Sequence, residues 1–574
     1  MKATMLLGRV GLALVLLLLL VWVDAQPIRA QGPRTAGPFV GPSIRGIPFK
    51  GDLRKLPRTK VQNVPLPGPL ISPPLSGPKS RSATPFQDPV RQTTLASLSM
   101  PGPIRNFAGL DRVSYGARRQ PDVAGDIGPN HFVQAVNLGL GIYDKNGNQL
   151  WAIGIQDWWS QSSQTTACYT KHHTGGPIVT YDTLADRWIV ADVAVDSVTT
   201  STGTTFSYYT CIAVSMSGDP LAGGWWFYAM PSDPNPTLTY FFPDEPRVAV
   251  WPDGIYLSAV MRDTKQSFAW SKVRATSLNR PSLYSGTLTS IYFDILNHPD
   301  FVNPLWVLPS NMRGAPPPAG TPNFYAAVWD PATFWLWKFH VDWITPANST
   351  MVGAGSNPYP PTLTVAPFSP FYYSSTNGVA ELGGSSLDPH GDNRMLPQMQ
   401  YRNIGGVQSL WMNHTVSSNG VTGIRWYQIL DPNGNVSVGQ QSTFQPDANY
   451  RFMGTSAVDG NGNLALGYTM SSTTTHPSLV YTGRLTTDAA NTLGQGEVTL
   501  FAGTGSQNPC TDPCDHGWGN YYSMSVDPID DCTFWFTGEY YTSTTSLDTW
   551  STRIGAFKYP SCNPTPYPTN HTVT

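Results

Sequence analysis

The chain has 574 residues, of which 13% are charged and 40% hydrophobic, with 53 glycines, 53 prolines and a formal net charge of −2 at pH 7. That near-balance conceals a basic segment, 26–100, with 11 lysines and arginines against two acidic residues, and an acidic body from 101 onward with 22 basic and 34 acidic residues. The acidic body argues against nucleic acid as a partner. Abundant threonine, serine, tyrosine, tryptophan and glycine, with scarce helical periodicity, disfavour a helical protein and suit twisted antiparallel strands.

Residues 1–25 read as a secretory signal peptide: Lys2 and Arg9 precede the apolar run Leu12 to Val23, and Ala25 supplies a small residue before cleavage. The run is shorter than the roughly 20 residues a membrane span needs, so no transmembrane segment is expected in the mature chain. Segment 26–100 is proline-dense (Pro65, Pro67, Pro69, Pro73, Pro74) and without an amphipathic period. It is expected to be a disordered basic linker, dispensable for folding, acting as a spacer or as an electrostatic attachment to an anionic envelope polymer.

From 101 to 562 one phrase recurs: an apolar entry, usually behind proline, then a polar turn and a hydrophobic run. It reads Pro121-Asp-Val123 with Phe132-Val133, then Pro177-Ile-Val179 with Trp188-Ile-Val190, then Pro246-Arg-Val248 with Ile255-Tyr-Leu257. It continues as Pro322-Asn-Phe324 with Phe334-Trp-Leu336, and Pro397-Gln-Met399 with Leu410-Trp411. The last copies are Phe452-Met453 with Leu464-Ala-Leu466, and Tyr522 and Met524 with Phe534-Trp-Phe536. Spaced by about 67 residues, these copies predict an all-β fold, a seven-bladed β-propeller over 101–562, followed by a C-terminal tail over 563–574.

Six cysteines in an exported chain predict three disulfides. The pairing favoured is Cys168–Cys211, Cys510–Cys514 and Cys532–Cys562, the last pinning the final strand. The clusters Cys168 with His172 and His173, Cys510 with Cys514, Asp515 and His516, and Asp388 with His390 and Asp392 hold metal-ligand types. With the sulfurs bridged no metal site is expected. Asp144 to Asn148, Asp431 to Asn435 and Asp459 to Asn463 share Asp-x-Asn-Gly-Asn, the start of a calcium loop. Position 12 of such a loop is Ile155, Ser442 or Met470 rather than glutamate, so tight hairpin turns are the preferred reading.

Several arginines sit inside strand-like runs: Arg402, Arg425, Arg451 and Arg484, accompanied by Glu497, Glu539 and Tyr540. Gathered around a central funnel they would clamp a carboxylate, as in a sialidase. The bland alternative, preferred here, pairs each arginine with an Asp or Glu between blades. The nineteen tryptophans could supply sugar-stacking platforms, although blade cores consume aromatics in bulk. No phosphate loop, GxSxG, HExxH or dinucleotide fingerprint occurs, and no cofactor is expected.

Asp126-Ile-Gly-Pro-Asn-His-Phe-Val133, Tyr181-Asp-Thr-Leu-Ala-Asp-Arg-Trp188 and Val250-Trp-Pro-Asp-Gly254 resemble a family of exported, uncharacterised bacterial proteins expected to be propellers. So do Phe339-His-Val-Asp-Trp343, Gly423-Ile-Arg-Trp-Tyr427, Asn463-Leu-Ala-Leu-Gly-Tyr468 and Ser525-Val-Asp-Pro-Ile-Asp-Asp-Cys-Thr-Phe-Trp535. The resemblance runs from Asn106 to Cys562 and implies the fold and export but no reaction. Where many members read Arg-Trp-Gly-Asp-Tyr, this chain has Gly517-Trp-Gly-Asn520-Tyr521, which weakens a catalytic role for that loop.

Three functional expectations follow. The first is a secreted, monomeric binding or adhesion module at or outside the cell surface, with a glycan or cell-envelope polymer as partner. The alternative is a carbohydrate-active enzyme, sialidase-like or lyase-like, with its Arg/Glu/Tyr pocket in the central funnel. The third is a structural envelope protein. An enzyme should bring at least three of Arg402, Arg425, Arg451, Arg484, Glu497 and Glu539 around one pocket; a binder can scatter them.

Overall fold

A computed structural model describes residues 34–57, 87–116, 120–162, 166–169, 172–201, 203–233, 240–296, 306–352, 361–373, 377–389, 394–507, 517–544 and 549–564. The fold is all-β, as the composition predicts, and propeller-like: a succession of antiparallel meanders with only short helical turns between strands. The first meander runs from Ala124–Ile127 to Gln149–Gly154, the second from His173–Asp182 to Trp225–Pro231, the third from Phe241–Trp251 to Ser290–Leu296. The fourth starts at Leu308–Met312, the fifth at Leu396–Ile404, the sixth at Tyr450–Val458 and the seventh at Ser523–Val526. Fourth and fifth merge into one sheet, because Ser310 to Met312 pair in parallel with Met399 to Tyr401.

Six of the seven opening strands contain or directly follow a copy of the recurring phrase; in the fourth meander Pro322-Asn-Phe324 falls instead at the second strand, Asn323–Asp330. Each opening strand lies beside the opening strand of the next meander. The opening strand of the seventh lies beside that of the first, where Gly125 N donates to Ser523 Oγ at 3.1 Å. The strand Arg105–Asp111 comes from ahead of the first meander and completes the seventh by pairing with Ser551–Phe557.

The aromatic wealth goes mostly into cores. Trp151 and Trp188 are buried in one core cluster, Trp251 and Trp335 in a second and Trp426 in a third, which removes them as sugar platforms. The Asp-x-Asn-Gly-Asn segments are turns. Asp144 Oδ1 accepts the amides of Asn146 and Asn148 at 2.9 Å each, with Gly147 at φ +95, and Asp459 repeats the pattern with Asn461 and Asn463. A carboxylate occupied by amide donors is an Asx turn, and among the described residues no group of metal-ligating side chains forms.

Two of the expected disulfides are present, Cys168–Cys211 and Cys532–Cys562; Cys510 and Cys514, with Asp515 and His516, lie outside the described residues. So do the expected signal peptide, His390, Asp392, and the tail from 565. His173 is held by Asp192 at 2.8 Å and by the Cys168 carbonyl at 3.1 Å, a structural role. Among the described residues no helix is long and apolar enough to cross a membrane.

The linker expectation fails over the described part of 26–100. Thr35–Val40 pairs with the outer strand Ser290–Leu296 of the third meander, and Ile47–Phe49 with Trp225–Pro231 of the second. Further on, Arg91–Gln92 and Leu98–Ser99 pair in parallel with the outer strands of the fifth and sixth meanders. Leu53 and Met100 are buried, at 0% and 3% exposure. Lack of an apolar period did not mean lack of structure, because an edge strand borrows its backbone partners from a preformed sheet.

Candidate site at the mouth of the central channel

The expected funnel residues are mostly engaged in internal pairing. Arg402 forms a fork with Asp531 at 2.9 and 2.7 Å, and Arg425 reaches Asp88 of the N-terminal segment at 3.0 Å. Arg451 binds both Asp447 and Glu497, at 2.7 Å each, and Glu497 also accepts the Tyr468 hydroxyl. Arg484 donates to the carbonyls of Thr492 and Asp488. Glu539 is buried on strand Phe534–Tyr540, and the Tyr540 ring packs 4.2 Å from Phe501. Within the set Arg451 and Glu497 touch each other, inside the sixth meander, while Arg402, Arg425 and Arg484 go to partners outside the set. A charge entering the interior needs such a partner.

A different set converges where the opening strands begin. These strands line a narrow cavity of about 50 Å³, whose walls include the polar side chains Asp126, Thr180, Arg247, Asn311 and Gln398. Asn311 donates to Gln398 at 2.7 Å, and Gln398 donates to the Met524 carbonyl at 2.9 Å, tying opposed walls together. Asp126 is committed to Arg313 and to the amide of Tyr181.

At the entry end of the channel stand Asp122, Glu245, Arg247, Arg394 and Asn520. Glu245 Oε2 accepts from Arg247 at 2.6 Å, and both its oxygens accept from Arg394 at 3.4 Å. Arg394 also donates to the Asn520 carbonyl at 2.9 Å. The Arg247 guanidinium lies over the Tyr521 ring at 4.5 Å, and that of Arg394 faces Trp306 at 5.3 Å, so aromatic faces hold both forks. Tyr521 is itself anchored by its hydroxyl on the Pro177 carbonyl at 3.0 Å.

Asp122, Glu245 and Asn520 all adopt left-handed backbone, with φ of 46, 47 and 65. Such strain outside glycine costs on the order of 1–3 kcal/mol and concentrates at functional sites. Here it falls at the entries of the seventh, first and third meanders. Burial pushes the Asp122 carboxyl up to about 7, with the nearby Glu245 carboxylate adding to the effect and hydrogen bonds from Asn137 and Asn520 opposing it. Asp122 is therefore half protonated near neutrality, while Glu245 is locked in ion pairs. A carboxyl raised by burial and an ion-paired carboxylate thus stand in one mouth.

Sequence reading missed these residues, although it had marked their places. Asp122 and Arg247 are the middle residues of two copies of the recurring phrase, and Asn520-Tyr521 ends the Gly-Trp-Gly-Asn-Tyr segment. Aligning the copies and asking which polar residues sit at their entries would have found the mouth, because equivalent entries of successive meanders face one axis.

No family model matches the chain, and no curated protein matches it. Among solved structures it is similar to the Trypanosoma rangeli sialidase in complex with sialic acid, at 10% identity over 73% of this chain and a TM-score of 0.31. The chain spans 57% of the length of that sialidase. It is similar also to the GH43 endo-arabinanase from Bacillus licheniformis, at 11% identity over 64% of this chain and 94% of that one, TM-score 0.26. Drosophila plexin A, in a complex with semaphorin 1b, matches at 6% identity over 80% of this chain and 88% of that one, TM-score 0.27. At such scores the likenesses are loose, and no role is transferred to any residue from them.

Proposed function

We propose that the chain is an exported, seven-bladed β-propeller that acts outside the cell as a monomer and cleaves glycosidic bonds at the mouth of its channel. The blades are the seven meanders, closed through Arg105–Asp111 in the last of them. Support for export comes from the apolar segment Leu12 to Val23 and from two disulfides.

One observation carries the catalytic reading: Asp122, a carboxyl raised by burial, and Glu245, a carboxylate held by two arginines, share one mouth. Asp122, raised to about 7, delivers its proton to the leaving glycosidic oxygen. Water then attacks the freed anomeric carbon and gives up its proton, and Glu245, held by Arg247 and Arg394, is the second carboxylate that such chemistry uses. No metal or cofactor is required by this division.

Incubating the mature protein with a panel of polysaccharides and chromatographing the products tests the reading. Release of oligosaccharide by the wild type, lost in Asp122→Asn, is the expected result. Equal release by both proteins would overturn it. The 6% exposure of Asp122 favours a second reading, retention of a glycan without turnover. That reading predicts binding in the same panel with no product from either protein.

A further inference from the structure

The mouth is unbalanced in a way that specifies its ligand. Arg247 and Arg394 share one carboxylate, Glu245. The adjacent Asp244 is already matched by Arg262, and Asp126 by Arg313. Both guanidiniums are nearly buried, at 6% and 4% exposure, where an unmatched charge is expensive. Each keeps a buried Nε that lacks a hydrogen-bond partner.

Two buried oxygens at the same place are also unpartnered, Asp122 Oδ1 and the side-chain Oδ1 of Asn520. An amide oxygen accepts hydrogen bonds and donates none, so Asn520 calls for a donor such as a hydroxyl. Asp122 Oδ1 exchanges a hydrogen bond with a hydroxyl in either protonation state. The combination is surplus cationic donors beside oxygens that need donors. A neutral sugar leaves the cationic surplus, and a bare inorganic anion leaves the oxygens.

We infer that this mouth binds a sugar acid, its carboxylate on the Arg247 and Arg394 guanidiniums and its hydroxyls on Asp122 and Asn520. The inference deepens the cleavage reading by naming its substrate class and rests on the same mouth. Planar guanidiniums take a carboxylate through two parallel hydrogen bonds, and the faces of Tyr521 and Trp306 already fix their planes. Recognition therefore requires little reordering of side chains.

Titration calorimetry of the mature protein with D-glucuronate, D-galacturonate and N-acetylneuraminate, with the methyl ester of each and with sulfate, tests it. At least one acid should bind, with its ester weaker by tenfold or more. Arg394→Gln should lose that preference, and Arg394→Lys should fail to restore it, because an ammonium cannot fork. Circular dichroism melts of both variants confirm that they are folded; should either be unfolded, the acid-to-ester ratio of the wild type decides alone. Esters binding as tightly as acids, sulfate binding as tightly as the best acid, or no acid binding would each overturn the inference. The first of these leaves the cleavage reading intact, whereas acid binding without any cleavage would sink that reading and keep this one.

Discussion

At the rim of the molecule charges are matched, and at the mouth they are not. Arg425, fully buried in the fifth meander, reaches across to Asp88 of the N-terminal segment, and Arg451 in the sixth has two carboxylates to itself. At the mouth two arginines divide one carboxylate, a second carboxyl is held near half protonation, and three residues other than glycine carry strained backbone. Both regions bury charge. The rim uses it to fasten a segment with little apolar surface to the outer strands, whereas the mouth keeps an imbalance that only a ligand relieves. Matched and shared charge thus mark two different regions of the molecule.

Three measurements press on that separation. Removing 26–100 should have the largest effect. It bares the outer strands of the second, third, fifth and sixth meanders, deletes buried Leu53 and Met100, and strands Arg425 without Asp88. A fall in melting temperature of about 10 °C, or aggregation through bare edges, is expected. An unchanged melt would show that the edge pairings contribute nothing.

Single substitutions sharpen the contrast. Arg425→Gln leaves Asp88 buried without its partner and should cost about 3–5 kcal/mol in urea unfolding. Arg394→Gln should cost less than about 1 kcal/mol in the absence of ligand, because Glu245 keeps Arg247. Equal costs would erase the distinction between rim and mouth.

The smallest effect is on pH dependence. Burial raises Asp122 to about 7 and Glu381 to about 8, and Asp253 and Asp459 to about 6. Unfolded, these carboxyls lose their protons near pH 4, so each favours the native state at lower pH, whereas His414, pushed down to about 3 by burial, acts the opposite way between about pH 3 and 6.5. Above about pH 6.5 Asp122 and Glu381 dominate, and linkage makes stability fall as pH rises through their native values. Melting temperature should be higher at pH 5.5 than at pH 8.5. Asp122→Asn should flatten the slope around pH 7, and an unaltered slope would mean that Asp122 ionises normally.

Much of the architecture was legible because it is local. Entry prolines, Asp-Gly turns and aromatic runs each act within a few residues, so the recurring phrase marked six of the seven opening strands, and Asx geometry settled the Asp144 and Asp459 loops as turns. The arm was not legible, since Thr35–Val40 and Arg91–Gln92 have no pattern of their own and take their strand character from edges that must form first. The preferred pairing of arginine with carboxylate holds for Arg402, Arg425 and Arg451, whereas Arg484 goes to carbonyls; sequence shows that they are inside strands but not which partner reaches them.

By itself, then, the sequence determined the all-β class, most of the strand spacing and the turn chemistry, all set by short-range sterics and hydrogen bonding. Which cysteines pair, across 43 and 30 residues, depended on which strands come together. Only the tertiary structure decided that Asp122, Glu245, Arg394 and Asn520 meet. They lie in four different meanders or the links before them, and nothing short-range connects them. Their meeting depends on how the opening strands stand side by side around one axis, and the low dielectric created there raises the Asp122 carboxyl and leaves two guanidiniums one counter-charge short.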